Sequence, residues 1–188
     1  MTKLAALSLG LAVAACASPP VTTFDLAASS AARSRGSGAR AGEALTVTEP
    51  VALQSLDGNT IVVRGRGGEL TMLSDAQWAD RLPRLVQAQL LRAFEDAGRL
   101  GRVTRPNDGV VTVRQLNTEL RQFNIDSATG EAVVEISARV VDTLSGNVLR
   151  ARVFTGRVPV PGTVNGPSAA ATLDAALAKV LAEVVGWA

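Results

Sequence analysis

The chain has 188 residues, 47% of them hydrophobic, and its 19 basic and 17 acidic residues leave a formal net charge of +2. That near-balance lacks the dense basic face of a nucleic-acid binder, so no nucleic-acid partner is expected. There is no His, which removes the commonest general base and zinc ligand, and the single Cys excludes an intramolecular disulfide.

At the N-terminus Lys3 precedes an apolar run over residues 4–15 that only Ser8 and Gly10 interrupt. This is the n-region and h-region of a secretory signal. A bilayer span needs roughly 20 apolar residues, and this run stops short of that. It ends in Val13-Ala14-Ala15-Cys16, which has the form of a lipobox: a branched apolar residue, two small residues and a thiol. Residues 1–15 are therefore expected to be removed and Cys16 to carry lipid. Lipidation also accounts for a lone thiol in an exported protein. Several acyl chains anchor far more firmly than one, so attachment to the membrane is expected to be stable. Ala17, rather than the aspartate that favours inner-membrane retention in enteric bacteria, points to the outer membrane.

Residues 16–43 read as a lipidated N-terminus and flexible linker, rich in Ala, Ser and Gly, with a candidate short strand over residues 22–26. Arg33, Arg35 and Arg40 suit a solvated tether or contact with anionic lipid headgroups. Residues 44–188 form the folded domain. Short extended pieces are expected at residues 45–48 and 51–53, followed by a turn at Asp57-Gly58-Asn59. Residues 60–64 and 69–73 flank the glycine-rich stretch Gly65-Arg66-Gly67-Gly68, which reads as a β-hairpin tip. A phosphate loop would need a strand-to-helix transition and a Gly-Lys-Ser/Thr ending, and neither is present.

A helix follows. Ser74 or Asp75 is its expected cap, and Trp78, Leu82, Leu85, Val86, Leu90, Ala93, Phe94 and Ala97 recur at spacings of three and four. Pro83 places the helix proper at about Leu82, which would leave Trp78 in a preceding turn. Gly98 is the expected C-terminal stop. From Val110 to Ile125 apolar residues alternate with two changes of parity, so a long strand there must contain irregularities such as β-bulges. In the next strand Val134, Ile136, Ala138 and Val140 share one face while Glu135, Ser137 and Arg139 share the other. A turn at Ser145-Gly146-Asn147 leads to a third strand over residues 148–160. Pro159, Pro161, Gly162, Gly166 and Pro167 break the pattern before a last helix, with Ser168 as expected cap and Leu173, Leu177, Val180, Leu181, Val184 and Trp187 as its apolar stripe. The sheet's apolar face needs a cover, and this stripe supplies it. The predicted fold is α+β: a single domain with a mostly antiparallel sheet of about six or seven strands and two amphipathic helices packed on one face.

Several segments, in order, resemble the ABC-type transport auxiliary lipoproteins, the family that includes PqiC-type lipoproteins. They are Phe24-Asp25-Leu26, Val47-Thr48-Glu49-Pro50, Ile61-Val62-Val63-Arg64, Trp78-Ala79-Asp80-Arg81-Leu82-Pro83, Phe94-Glu95-Asp96-Ala97-Gly98, Glu119-Leu120-Arg121-Gln122-Phe123 and Trp187. The resemblance covers nearly all of the mature chain. It implies a periplasm-facing accessory of an ABC transporter whose MCE-domain subunit is the partner, in a system moving phospholipid or other hydrophobic molecules between membranes. The one family functional residue it carries over is the acylated cysteine, Cys16. No cofactor is implied, and the oligomeric state is left open.

Catalysis has little to work with. Glu95 and Asp96 lie on a charged helix face, the serines of the linker have no His to activate them, and Lys179 lacks a nucleophile motif. The reading that competes with transport is a structural or assembly lipoprotein of the outer membrane, since such proteins are also small α+β domains on a lipidated tether.

Overall fold

The computed structural model describes residues 20–27, 44–99 and 103–188. The signal segment, Cys16 and the linker arginines lie outside the described residues. In chain order the elements are β1 (Thr22–Phe24), β2 (Leu45–Val47), β3 (Val51–Ala52), β4 (Thr60–Arg64), β5 (Leu70–Trp78), α1 (Leu82–Phe94), β6 (Val103–Thr104), β7 (Arg114–Asp126), β8 (Glu131–Asp142), β9 (Val148–Pro159) and α2 (Gly166–Trp187).

The long strand β7 organises the sheet. On one side it pairs antiparallel with β8, which pairs antiparallel with β9. On its other side three short strands share its length in succession, all parallel to it: β2 against Arg114–Leu116, β3 against Glu119 and Leu120, and β4 against Asn124–Asp126. Beyond β4 lie antiparallel β5 and then parallel β1, while β6 adds in parallel to β2. The α+β class, the single domain and the two helices are as the sequence pattern predicts, and the longest ladders are antiparallel. The nine-stranded sheet is larger than the six or seven strands expected because pieces such as β3 and β6, two residues each, are too short to show a period.

Two helix starts differ from the sequence reading. Ser74, Asp75 and Trp78 belong to β5, not to a cap or turn. There Ala76 and Trp78 are buried, and the Trp78 ring meets Phe123 edge-on at 5.8 Å. Pro83 in the first turn of α1 sets the start, because proline has no N–H to give to an earlier turn; the N-cap is Arg81, without a side-chain cap. The second helix is capped by Asn165, whose side chain accepts from Ser168 N at 2.9 Å while Asn165 N donates to Ser168 Oγ at 3.0 Å. Ser168 thus closes a capping box instead of standing at its head. Gly166 and Pro167 occupy the first turn, a position where proline costs nothing.

The irregular region after Val110 also resolves. Val110, Val111 and Val113 are exposed and precede β7, so the first parity change marks the strand's true beginning at Arg114. The second is a register shift between Leu120 and Gln122, a bulge at Arg121 that leaves both Leu120 and Phe123 inward. In β8 the residues Val134, Ile136, Ala138 and Val140 are buried as the alternation requires, and on the opposite face Arg139 is exposed while Ser137 is buried.

One hydrophobic cluster joins both helices to the sheet. From α1 it takes Leu82, Val86, Leu90 and Phe94; from α2 it takes Leu173, Leu177, Val180, Leu181 and Val184. At about 1.5–3 kcal/mol per buried side chain, covering the sheet is favoured over leaving that stripe in water. Gly98, at φ 82°, ends the helical segment in the left-handed conformation that glycine tolerates.

Candidate functional site: an anchor strand and an open opposite edge

The segment nearest the expected lipid site is locked into the domain. β1 registers with β5 through Thr22–Ala76, Thr23–Gln77 and Phe24–Trp78, and Ala79 N donates to Phe24 O at 2.8 Å. Leu26 is fully buried behind it, and its carbonyl accepts a hydrogen bond from Gln89, a buried polar side chain of α1. Gly166 allows this arrangement: a Cβ there would approach Phe24 Cε2 to 3.3 Å and Ala76 Cβ to 2.7 Å. Only five residues separate Cys16 from Thr22. At no more than about 3.6 Å per residue, that stretch keeps the sheet edge within roughly 20 Å of Cys16. β1 is therefore the strand through which anchoring would act, while Cys16 itself is outside the described residues.

The segments that carry the family resemblance meet in space. Arg81 donates to Glu49 Oε1 at 3.1 Å and to Asp57, joining the Trp78–Pro83 segment to the Val47–Pro50 segment and the turn before β4. The hydrogen bond from Asp57, with the charges of Asp57 and Glu49 adding to it, raises the Arg81 pKa further above its usual value. Gln87 Nε2 donates to Val47 O at 3.0 Å. Ile61, Phe94 and Phe123 lie in the core, and Trp187 meets Phe154 at 5.4 Å. These shared residues build a scaffold. They do not converge on a reacting centre.

Two of the carboxylates, Asp142 and Asp108, hold turns. Asp142 receives Ser145 N at 2.8 Å, Ser145 Oγ at 3.0 Å and Leu144 N at 3.0 Å, and the bonds from Ser145 chiefly hold its pKa below the usual carboxylate range. Asp108 is lowered in the same way, first by Arg105 N and then by the Thr104 hydroxyl. Glu95 and Asp96 are exposed in the turn that follows α1. Lys179 Nζ donates to the Arg157 carbonyl at 3.0 Å. Among the described residues no group of three or more acidic, His or Cys side chains is placed to hold a metal ion. A cleft of about 240 Å³ lies between Leu45, Arg114, Leu149, Arg150 and Ala188, smaller than the roughly 300–1,000 Å³ of typical ligand sites.

At the other side of the sheet stands β9, with exposed Val148, Leu149 and Val153 and the arginines 150, 152 and 157. Arg152 pairs with Glu183 of α2 at 3.5 Å and lies over the Phe154 ring at 4.8 Å. Arg157 pairs with Glu131 at 3.4 Å, and Arg150 donates to Trp187 O at 2.7 Å. β1 and β9 thus stand at edges of the sheet. Local periodicity points to neither the β1 pairing nor the β9 edge, because strand order is a non-local property.

Among the described residues no helix is long and apolar enough to cross a membrane. Comparison with known proteins places a family model described as "ABC-type transport auxiliary lipoprotein component" over residues 24–185. An uncharacterized protein of Bradyrhizobium diazoefficiens is 33% identical over 145 residues, 76% of this chain and 38% of that one. The chain thus spans under two fifths of that curated relative's length. Among solved structures, protein XCC0632 from Xanthomonas campestris aligns with a TM-score of 0.74 and 27% identity over 90% of this chain and 91% of that one. A further uncharacterized protein shares the fold at a TM-score of 0.68 and 14% identity, over 88% and 97% of the two chains.

Proposed function

The chain belongs to the ABC-type transport auxiliary lipoprotein family, and on that footing we propose that it is an outer-membrane-anchored, periplasm-facing accessory of an MCE-type ABC transport system. Cys16 carries the lipid, and the folded domain docks on the transporter's MCE-domain subunit while phospholipid or another hydrophobic substrate moves between membranes. The protein acts by binding and position, not by bond-making. The observation that carries this reading is the family match over residues 24–185, with β1 paired to the sheet edge after only five residues past Cys16.

The anchor is tested by Cys16→Ser. The expected result is an uncleaved precursor that takes up no labelled fatty acid; normal maturation of the variant would refute the lipid assignment. The partner is tested by affinity purification of the acylated protein in mild detergent, with the MCE subunit expected in the eluate. Its consistent absence, or recovery of outer-membrane assembly proteins in its place, would sink the transport reading.

A further inference from the structure

We propose that the tip of the β4–β5 hairpin is the part of the domain that rests on its own membrane, with Arg64 and Arg66 at the phosphates of anionic phospholipid and Leu70 and Met72 at the headgroup boundary. This deepens the proposed anchoring and rests on lipid at Cys16.

Strand direction selects the surface. β1 runs parallel to β5 and β5 antiparallel to β4, so the chain followed back from Thr22 heads the way the hairpin points. Thr22 pairs with Ala76, next to the Thr60–Gln77 pair, and so stands about level with Ile61. From that level Arg66 lies five residues on, about 17 Å at roughly 3.4 Å each, and Cys16 lies six residues back, at most about 20 Å away. Fully extended, that stretch ends about level with the hairpin tip. The opposite end of the sheet is out of its reach: Val62 pairs with Asn124, and Arg114 lies nine residues before Phe123, about 30 Å in the other direction.

The side chains at the tip suit a lipid surface. Arg64 pairs across the hairpin with Leu70, and Met72 is two residues further on, so the three share one face. Leu70 is 48% exposed and Met72 61%. Among the described residues neither Arg64 nor Arg66 forms an ion pair, and Arg64 Nε is buried without a hydrogen-bond partner. The acids near them are held elsewhere. Glu69 folds back over Gly65, where a Cβ would overlap its carboxylate; Asp126 accepts from Ala128 N at 2.8 Å, and Glu131 pairs with Arg157 at 3.4 Å. Phosphate groups supply the acceptors that these guanidinium groups lack. Apolar side chains beside basic ones match the boundary between headgroups and acyl chains. Two arginines and two apolar side chains would hold a free domain weakly, but a short tether makes the contact intramolecular, where weak contacts suffice.

The test uses the full-length acylated protein in protein-free vesicles of phosphatidylcholine with or without phosphatidylglycerol. Cys16 is the single cysteine, so Gly67→Cys or Leu144→Cys gives the acylated chain one free thiol for a fluorophore. A Cβ at Gly67 meets only the end of the Glu69 side chain, and Leu144, 84% exposed, lies in the β8–β9 turn at the far end of the sheet. With a quencher on the lipid headgroups of anionic vesicles, the label at 67 should be quenched and the label at 144 spared. Each arginine at an anionic surface shifts the contact about fivefold, so Arg64→Gln with Arg66→Gln should weaken it about tenfold or more. Omitting phosphatidylglycerol or raising salt should do the same. If the double variant unfolds, the lipid and salt comparisons on the unaltered arginines decide. Equal quenching at both positions, or quenching at 67 that ignores anionic lipid and salt, overturns the assignment. Contact at 67 that is absent from the vesicles, with shielding there in native membranes, makes a protein the occupant and also overturns it. A purified chain without acyl groups by mass spectrometry refutes the anchor itself, a separate outcome.

Discussion

Gly156→Ala puts the packing of α2 on β9 to a quantitative test. A Cβ at position 156 would overlap the backbone carbonyl of Ala176 and come within 3.0 Å of Val180 Cγ2. The first obstacle is backbone, so no rotamer change relieves it, and α2 has to retreat from the sheet. Overpacking of this kind costs about 1–3 kcal/mol. Against it stands the loss of unfolded-state freedom when glycine becomes alanine, which stabilises by about 0.4–1 kcal/mol. The clash wins, by about 1–2 kcal/mol net. At about 2–4 °C per kcal/mol for a domain near this size, the midpoint of thermal unfolding should fall by roughly 2–8 °C. Gly186→Ala is the control: its Cβ meets nothing within 4 Å, and helix propensity favours the change by about 1 kcal/mol. Circular dichroism melts of both variants and the wild type decide the matter. A Gly156→Ala midpoint equal to or above the wild-type value would refute the close approach of α2.

Leu26→Ala empties a fully buried position and should cost about 2–5 kcal/mol in urea unfolding, with faster proteolysis before residue 27 than elsewhere. Asn165→Ala breaks the capping box of α2 and should cost about 0.5–2 kcal/mol by the same measurement. Asp142 has a lowered pKa in the folded state, so its contribution is present above the ordinary carboxylate range and is lost as pH falls through the lowered value. Asp142→Asn should therefore lower stability at neutral pH and flatten the acid limb of the stability profile; an unchanged limb would count against the role of the Ser145 bonds.

How much of this was legible in the residues depends on how local the cause is. The Gly65–Gly68 hairpin tip, the buried face of β8 and the stripe on α2 follow from alternation and helical spacing alone. Trp78 misleads because it lies four residues before Leu82, a helical spacing, while its actual partner, Phe123, is 45 positions away. The Asn165-Gly166-Pro167-Ser168 start was readable in principle: proline suits a first turn as well as it breaks a later one, and asparagine three residues before serine is a capping pattern. The parallel pairings of β2, β3 and β4 along β7 had no local signature, since parallel register is set by crossover connections and shared burial. For the same reason the proposal for Cys16 rests on its immediate neighbours alone, whereas the place of β9 at a sheet edge became visible only when the strand order was known.

The pairing of β1 also has a mechanical side. Its three registered residues run parallel to β5, and Thr22, at the start of the strand, is the end nearest Cys16 in sequence. Tension applied along that axis pulls all three pairs at once in shear, with Leu26 as a stop behind them and Gln89 holding its carbonyl. A hairpin opened from its free end would yield one pair at a time. Force-ramp pulling from the N-terminus would register the difference as a single high rupture step. A domain held by its N-terminus keeps its weakest link away from that root, and the direction of one short strand provides that.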